Sequence, residues 1–261
     1  MRMTDEVRFD LLTWYQVKDE IDANTPIALP VGAIEAHGPH LPLGTDAFVP
    51  HQMLLRLAER RKILVAPPLM YAAYSRPRSG GGRTFPGSTG IPLRILEGVV
   101  KAVVADWMRQ GFRKVLVLNG HFENSFALLE ALEQASEPYL ATHQAVLVNW
   151  WEQLTQQDID DVFGDDFPGW EAEHASIVET SLMEALCPDM VRADLKADGG
   201  APRRINYDVF PTPPDTIWPN GIGNTAVTAS AELGEKIVDL VIERLVELID
   251  GELIGEAETR P

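Results

Sequence analysis

The 261-residue chain contains one cysteine, Cys187, so no intramolecular bridge can form and a disulfide scaffold is excluded. A cytoplasmic setting is the expectation that follows. Cys187 lies between Leu186 and Pro188, as at a helix end, and reads as a packing residue rather than a reactive thiol. Basic residues are scarce as well: 22 Lys+Arg against 39 Asp+Glu give a formal net charge of −17. Such a surface repels a phosphate backbone, so no nucleic-acid partner is expected. No run approaches the roughly 20 apolar residues that span a bilayer, and no membrane partner is expected. The N-terminal MRMTDEVRFDLLTWYQVKDE is broken by charges and lacks a signal-peptide core. A G-x-S-x-G nucleophile elbow is missing, and Ser79-Gly80-Gly81-Gly82 is not followed by the Lys-Ser/Thr pair of a phosphate-binding loop.

What is present is an ordinary globular composition, 45% hydrophobic and 23% charged. Apolar runs at Ile27 to Gly32, Ile63 to Ala66, Val115 to Leu118 and Ala145 to Val148 read as strands. They alternate with helical patterns: a segment opened by Pro50, another from Pro92 to Gln110 ending at Gly111, a third after Asn124, and a last one over Ala229 to Asp250. In that last helix Asp239, Glu243 and Glu247 fall on one solvated stripe. The alternation predicts an α/β fold, a three-layer α/β/α sandwich around a mostly parallel (mixed) sheet. Long loops are expected at Ser75 to Thr89, between Gln157 and Glu179, and at Lys196 to Thr225, where binding residues tend to sit.

Two of the strands run into chemistry. LPVGAIEAHGPHLPLGTD delivers Glu35, His37, His40 and Asp46 within twelve positions, and VLVLNGHFEN delivers His121 and Glu123 two apart. A lone E-x-H would read as a polar loop with a structural histidine. The repetition of the pair after two strands, at the carboxyl ends where open α/β sheets place their sites, points instead to metal binding. Glu35, His37, Asp46, His121 and Glu123 make five ligands, too many for one open tetrahedral zinc and suited to two ions sharing a carboxylate. A third stretch, FPGWEAEHASIVET, places Glu171, Glu173 and His174 near a helix entrance. Helix capping suits either glutamate taken singly, while His174 suits proton transfer. Ligands from the first half and His174 from the second argue for a single domain over residues 1–261.

These motifs, with SGGG followed by FPGST and with GWEAEH followed by ETSLMEAL, resemble the signatures of the creatininase (creatinine amidohydrolase) family in order and spacing from about Leu29 to Pro188, and YDVFP near Tyr207 extends the similarity. The resemblance implies two divalent ions, zinc or manganese, with Glu35, Asp46 and His121 on one, His37, Asp46 and Glu123 on the other, and Asp46 bridging. It also places Ser79, Phe122, Trp151, Trp170 and Glu171 around a small-molecule substrate, gives proton transfer to Glu173 with His174, and implies a homo-oligomer, a hexamer built from dimers. The sequence departs from the creatininase pattern at Phe122, where the pattern has tyrosine, and at Glu171, where it has aspartate. The implied activity is hydrolytic opening of a small cyclic amide, creatinine to creatine, with His174, oriented by Glu173, protonating the leaving nitrogen. The alternative enzyme is a hydrolase of a cyclic diketo-inositol of the 3-dehydro-scyllo-inosose type that breaks a carbon–carbon bond. A binding protein with a structural or lost metal site is the alternative of a different class.

Overall fold

The computed structural model describes residues 6–76 and 82–254. Four parallel strands, β1 (Ile27–Val31), β2 (Leu64–Val65), β3 (Lys114–Asn119) and β4 (Gln144–Asn149), pair in the order β2-β1-β3-β4. Ile27 to Val31 lie opposite Val115 to Asn119, which in turn lie opposite Ala145 to Asn149. Among the described residues, antiparallel pairing is seen only as single bridges, Ile34 with Thr89 and Asp198 with Thr225.

Because successive strand residues face opposite sides, each run feeds two cores. Ile27, Leu29, Val31, Val115 and Val117 face α3 (Leu93–Gln110) and α4 (Ser125–Ser136), where Leu96, Val100, Val104, Leu128 and Leu132 meet them. Ala28, Leu116, Leu118 and Val148 face the other layer, formed by α2 (Thr45–Ala58), α5 (Gln156–Phe163), α6 (Ile177–Leu186) and α7 (Ala231–Leu248). The three-layer α/β/α sandwich follows from that alternation. A short α1 (Trp14–Asp22) packs Val17 and Ile21 against the first core.

Most boundaries fall where the sequence puts them. Helix α3 starts after Pro92 and stops at Gly111, whose φ of 113° closes the helix without a Cβ penalty. Asp239, Glu243 and Glu247 are exposed on α7. One expectation is corrected: Pro50 does not open α2 but lies inside it, the helix having begun at Thr45 after Gly44. The second long loop also contains α5, started by a box in which Thr155 and Asp158 cap one another. Among the described residues no helix is long and apolar enough to cross a membrane.

Candidate metal centre

The centre is assembled by close backbone approach. Gly32 and Gly120 directly follow β1 and β3, and the first turn of α2 lies against both. A Cβ on Gly32 would stand 2.3 Å from the Ala47 nitrogen, and one on Gly120 would stand 2.1 Å from the Asp46 carbonyl oxygen. Only glycine permits either contact. Asp46, in the first turn of α2, is thereby carried between the two strand ends, where its charge also complements the helix dipole.

Beyond the strands the backbone is irregular rather than extended. Glu35 donates its N–H to the Leu43 carbonyl, closing a loop that returns His37 to the centre, and His37 Nδ1 lies 3.1 Å from the Glu35 carbonyl. After β3, a buried amide network fixes the turn. Asn119 donates to the His121 carbonyl and to Asn149 Oδ1, Asn124 donates to the Gly32 carbonyl, and Asn124 Oδ1 accepts the Ala73 N–H.

The result is a buried acid and imidazole cluster. Asp46 Oδ1 is 2.9 Å from His37 Nε2, while Oδ2 is 3.0 Å from His121 Nδ1. Glu35 Oε2 is also 3.0 Å from His121 Nδ1, and its other oxygen accepts the Ser75 hydroxyl. His174 Nε2 lies 3.7 Å from Glu35 Oε1 and 2.8 Å from the Ala36 carbonyl. Burial alone would favour neutral imidazoles, but Asp46 and Glu179 push His37 up to about 10. Glu123, Glu35 and Asp46 likewise hold His121 well above its ordinary value. Asp46, despite its burial, is held far below the usual carboxylate range by the same two imidazoles.

Divalent cations fit this donor set. Three trios, Glu35 with Asp46 and His121, His37 with Asp46 and Glu179, and Glu35 with His37 and His174, bring their ligand atoms within 4.8 Å of one another. His37 Nε2, Asp46 Oδ2 and His121 Nε2 are buried without a hydrogen bond of good geometry, an arrangement that is costly unless a cation or proton resolves it. Carboxylate and imidazole together suit zinc or manganese. Ligating imidazoles and carboxylates must be deprotonated, so metal uptake here would be pH-dependent.

The other singled-out residues distribute around this core. Glu123 stands on the His121 side, 3.2 Å from Nε2, and accepts the Arg76 N–H. The carboxylate that faces His37 together with Asp46 is Glu179, 3.6 Å away on α6, where the resemblance implied Glu123. Glu173 accepts the N–H groups of Val178 and Glu179 and so caps α6. Burial and the Glu179 charge push Glu173 up to about 8. The carboxylate nearest His174 is therefore Glu35 rather than the expected Glu173. His40 serves structure, its Nε2 2.8 Å from Thr180 Oγ1 of α6. Phe122 is exposed and 6.3 Å from Trp151, Trp170 packs on Trp150 and Phe167, and Glu171 is exposed beside it. Ser79 lies outside the described residues. Ser75, Asn119, Asn124 and Glu179 are site residues that spacing did not indicate; the asparagines flanking G-H-x-E were the available signal.

The family model described as creatininase, creatinine amidohydrolase, matches residues 10–249. A creatinine amidohydrolase of Pseudomonas putida is 34% identical over 95% of this chain and 97% of its own. A 3-dehydro-scyllo-inosose hydrolase of Thermotoga maritima is 26% identical over 93% of this chain and 82% of its own. Among solved structures, a manganese creatininase superposes with a TM-score of 0.89 at 34% identity, covering 94% of this chain and 97% of that one. The chain belongs to the creatininase family.

Proposed function

We propose that the protein is a hydrolase that holds two divalent ions and opens a small cyclic amide, with creatinine the leading substrate and creatine the product. The observation that carries this reading is the placement of Asp46, whose two carboxylate oxygens each face an imidazole from a different strand end. Two ions held there would supply Lewis acidity and a water acidified toward neutrality. Glu35, Asp46 and His121 would hold one. His37 and Asp46 would hold the other, with Glu123 as the further carboxylate.

The remaining roles belong to the chain itself. Phe122 and Trp151, with Trp170 packed on the neighbouring Trp150, would offer aromatic faces to a flat ring, and Glu171 a polar contact. His174 Nε2, directed at the Ala36 carbonyl beside Glu35, would hold the proton that passes to the leaving ring nitrogen, and half-buried Glu173 steadies the same segment by capping α6. The buried lone cysteine suits a reducing compartment, and we place the enzyme in the cytoplasm. Exposed Leu93 and Val99 of α3 with Phe126 and Leu129 of α4 leave an apolar face in keeping with a homo-oligomer, a hexamer by family resemblance.

A second reading keeps the metals and breaks a carbon–carbon bond beside a ring ketone. Phe122 favours it, since no hydroxyl is offered where the creatininase pattern has tyrosine. The test is to chelate the protein, reconstitute it with Zn²⁺ or Mn²⁺, and assay creatinine, cyclic imides and diketo-inositols in parallel. Turnover of creatinine supports the first reading; turnover of the cyclic ketone alone replaces it with the second. An inactive protein that takes up no metal would overturn both.

A further inference from the structure

We propose that Glu179 is a positioning residue for His174, acting through the backbone of Ala175. The inference rests on the reading of His174 as the proton-transfer group. Ala175 has φ of 50°, a left-handed conformation that alanine disfavours because its Cβ crowds the following carbonyl. Ala175 is also fully buried in the core, so the turn is fixed by its surroundings rather than by solvent. Strained backbone of this kind persists only where other contacts impose it.

Those contacts converge on His174 and its neighbour. The Ala175 N–H donates to Glu179 Oε2 at 2.6 Å, four residues ahead on α6. The His174 carbonyl accepts the Gly223 N–H at 2.7 Å, and Gly223 sits so close that a Cβ there would stand 2.2 Å from the Ala172 oxygen. The ring itself reaches the Ala36 carbonyl and lies 4.4 Å from the His37 ring. Gly223 therefore fixes the chain before the turn, and Glu179 fixes the N–H after it. Without the Glu179 acceptor, Ala175 has a buried N–H to satisfy and an intrinsic preference for another conformation. Relaxation there would swing the His174 ring.

Ala175→Gly provides the decisive rescue, because glycine adopts the left-handed turn without a Cβ penalty. In E179Q the side-chain carbonyl still accepts the Ala175 N–H, so the His174 ring should stay seated and kcat should exceed that of E179A by at least about tenfold. In E179A a displaced imidazole should lower kcat by about a hundredfold, the scale set by misplacement of about 1 Å, with KM and metal content little changed. E179A/A175G should recover at least about tenfold of that loss. A crystal structure of E179A gives a readout independent of any substrate: His174 Nε2 should leave the Ala36 carbonyl, and should return in the double variant. An imidazole still seated in E179A overturns the proposal. So does E179Q as damaging as E179A, or metal content falling in either, since Glu179 would then act by charge or as a ligand. If E179A alone does not fold, folding of E179A/A175G supports the proposal and its failure overturns it. Should the wild type turn over no ring substrate, the functional reading fails while the crystallographic comparison still decides the positioning.

Discussion

Gly120 lies against the main-chain carbonyl of Asp46, so close that a Cβ on the glycine would stand 2.1 Å from that oxygen. The contact seats the first turn of α2 on the end of β3 and puts the Asp46 carboxylate beside His121. Gly120→Ala must push α2 away, because the obstacle is backbone and not a flexible side chain. The variant should lose stability at or above the upper end of the ~1–3 kcal/mol typical of overpacking, read by denaturant unfolding. It should also take up less metal than wild type at equal folded fraction.

Phe122→Tyr adds the hydroxyl that the creatininase pattern carries. Phe122 is 70% exposed, so stability should barely change. A substrate hydrogen bond of about 0.5–1.5 kcal/mol corresponds to about two- to tenfold, and kcat/KM for creatinine should rise by that factor. An unchanged ratio between creatinine and a cyclic ketone would show that this position does not select the ring.

Much of the architecture is legible in the chain because strand alternation feeds two cores at once: Val115 and Val117 face one way, Leu116 and Leu118 the other. The paired Glu and His motifs are legible for a similar reason, each following an apolar run. Pro50 misleads, since proline suits the first turn of a helix and here stands inside one that Gly44 and Thr45 have already begun. Helix α5 is hidden by its acidity, although its T-x-x-D capping box is written in the sequence. Glu179 reads as an ordinary residue of an amphipathic helix. Its approach to His37 and Ala175 is a tertiary fact that no local spacing encodes.

Asp158 gives the stability a pH dependence. Its carboxylate is held down to about 2, chiefly by the Arg244 guanidinium and then by Thr155, and Arg244 also donates to the Gln153 carbonyl behind the Trp151 turn. The folded-state value lies below the ordinary one near 3.9, so the ionised form favours folding. That contribution is complete above the ordinary value and is lost as pH falls through about 2. D158N should therefore be less stable than wild type at pH 7, with the difference shrinking toward pH 2. A gap equal at both pH values, measured by denaturant midpoint, would rule out this origin.

Trp151 and Trp170 are proposed to contact substrate rather than the metals. Trp151→Ala should raise KM or lower kcat/KM by about tenfold, in line with ~1 kcal/mol or more for an aromatic contact, and leave metal content at the wild-type level. Loss of metal from this variant would place the tryptophan in the metal centre's support instead.

We propose that one carboxylate, Asp46, joins two cation sites, one reaching to His121 and one to His37. Metal stoichiometry of the reconstituted protein tests it most directly, comparing wild type with D46N, E35Q and H37A at matched folded fraction. Wild type should hold two ions per chain, E35Q or H37A should lose one, and D46N should lose both. A D46N protein that still binds two ions with wild-type affinity would contradict it.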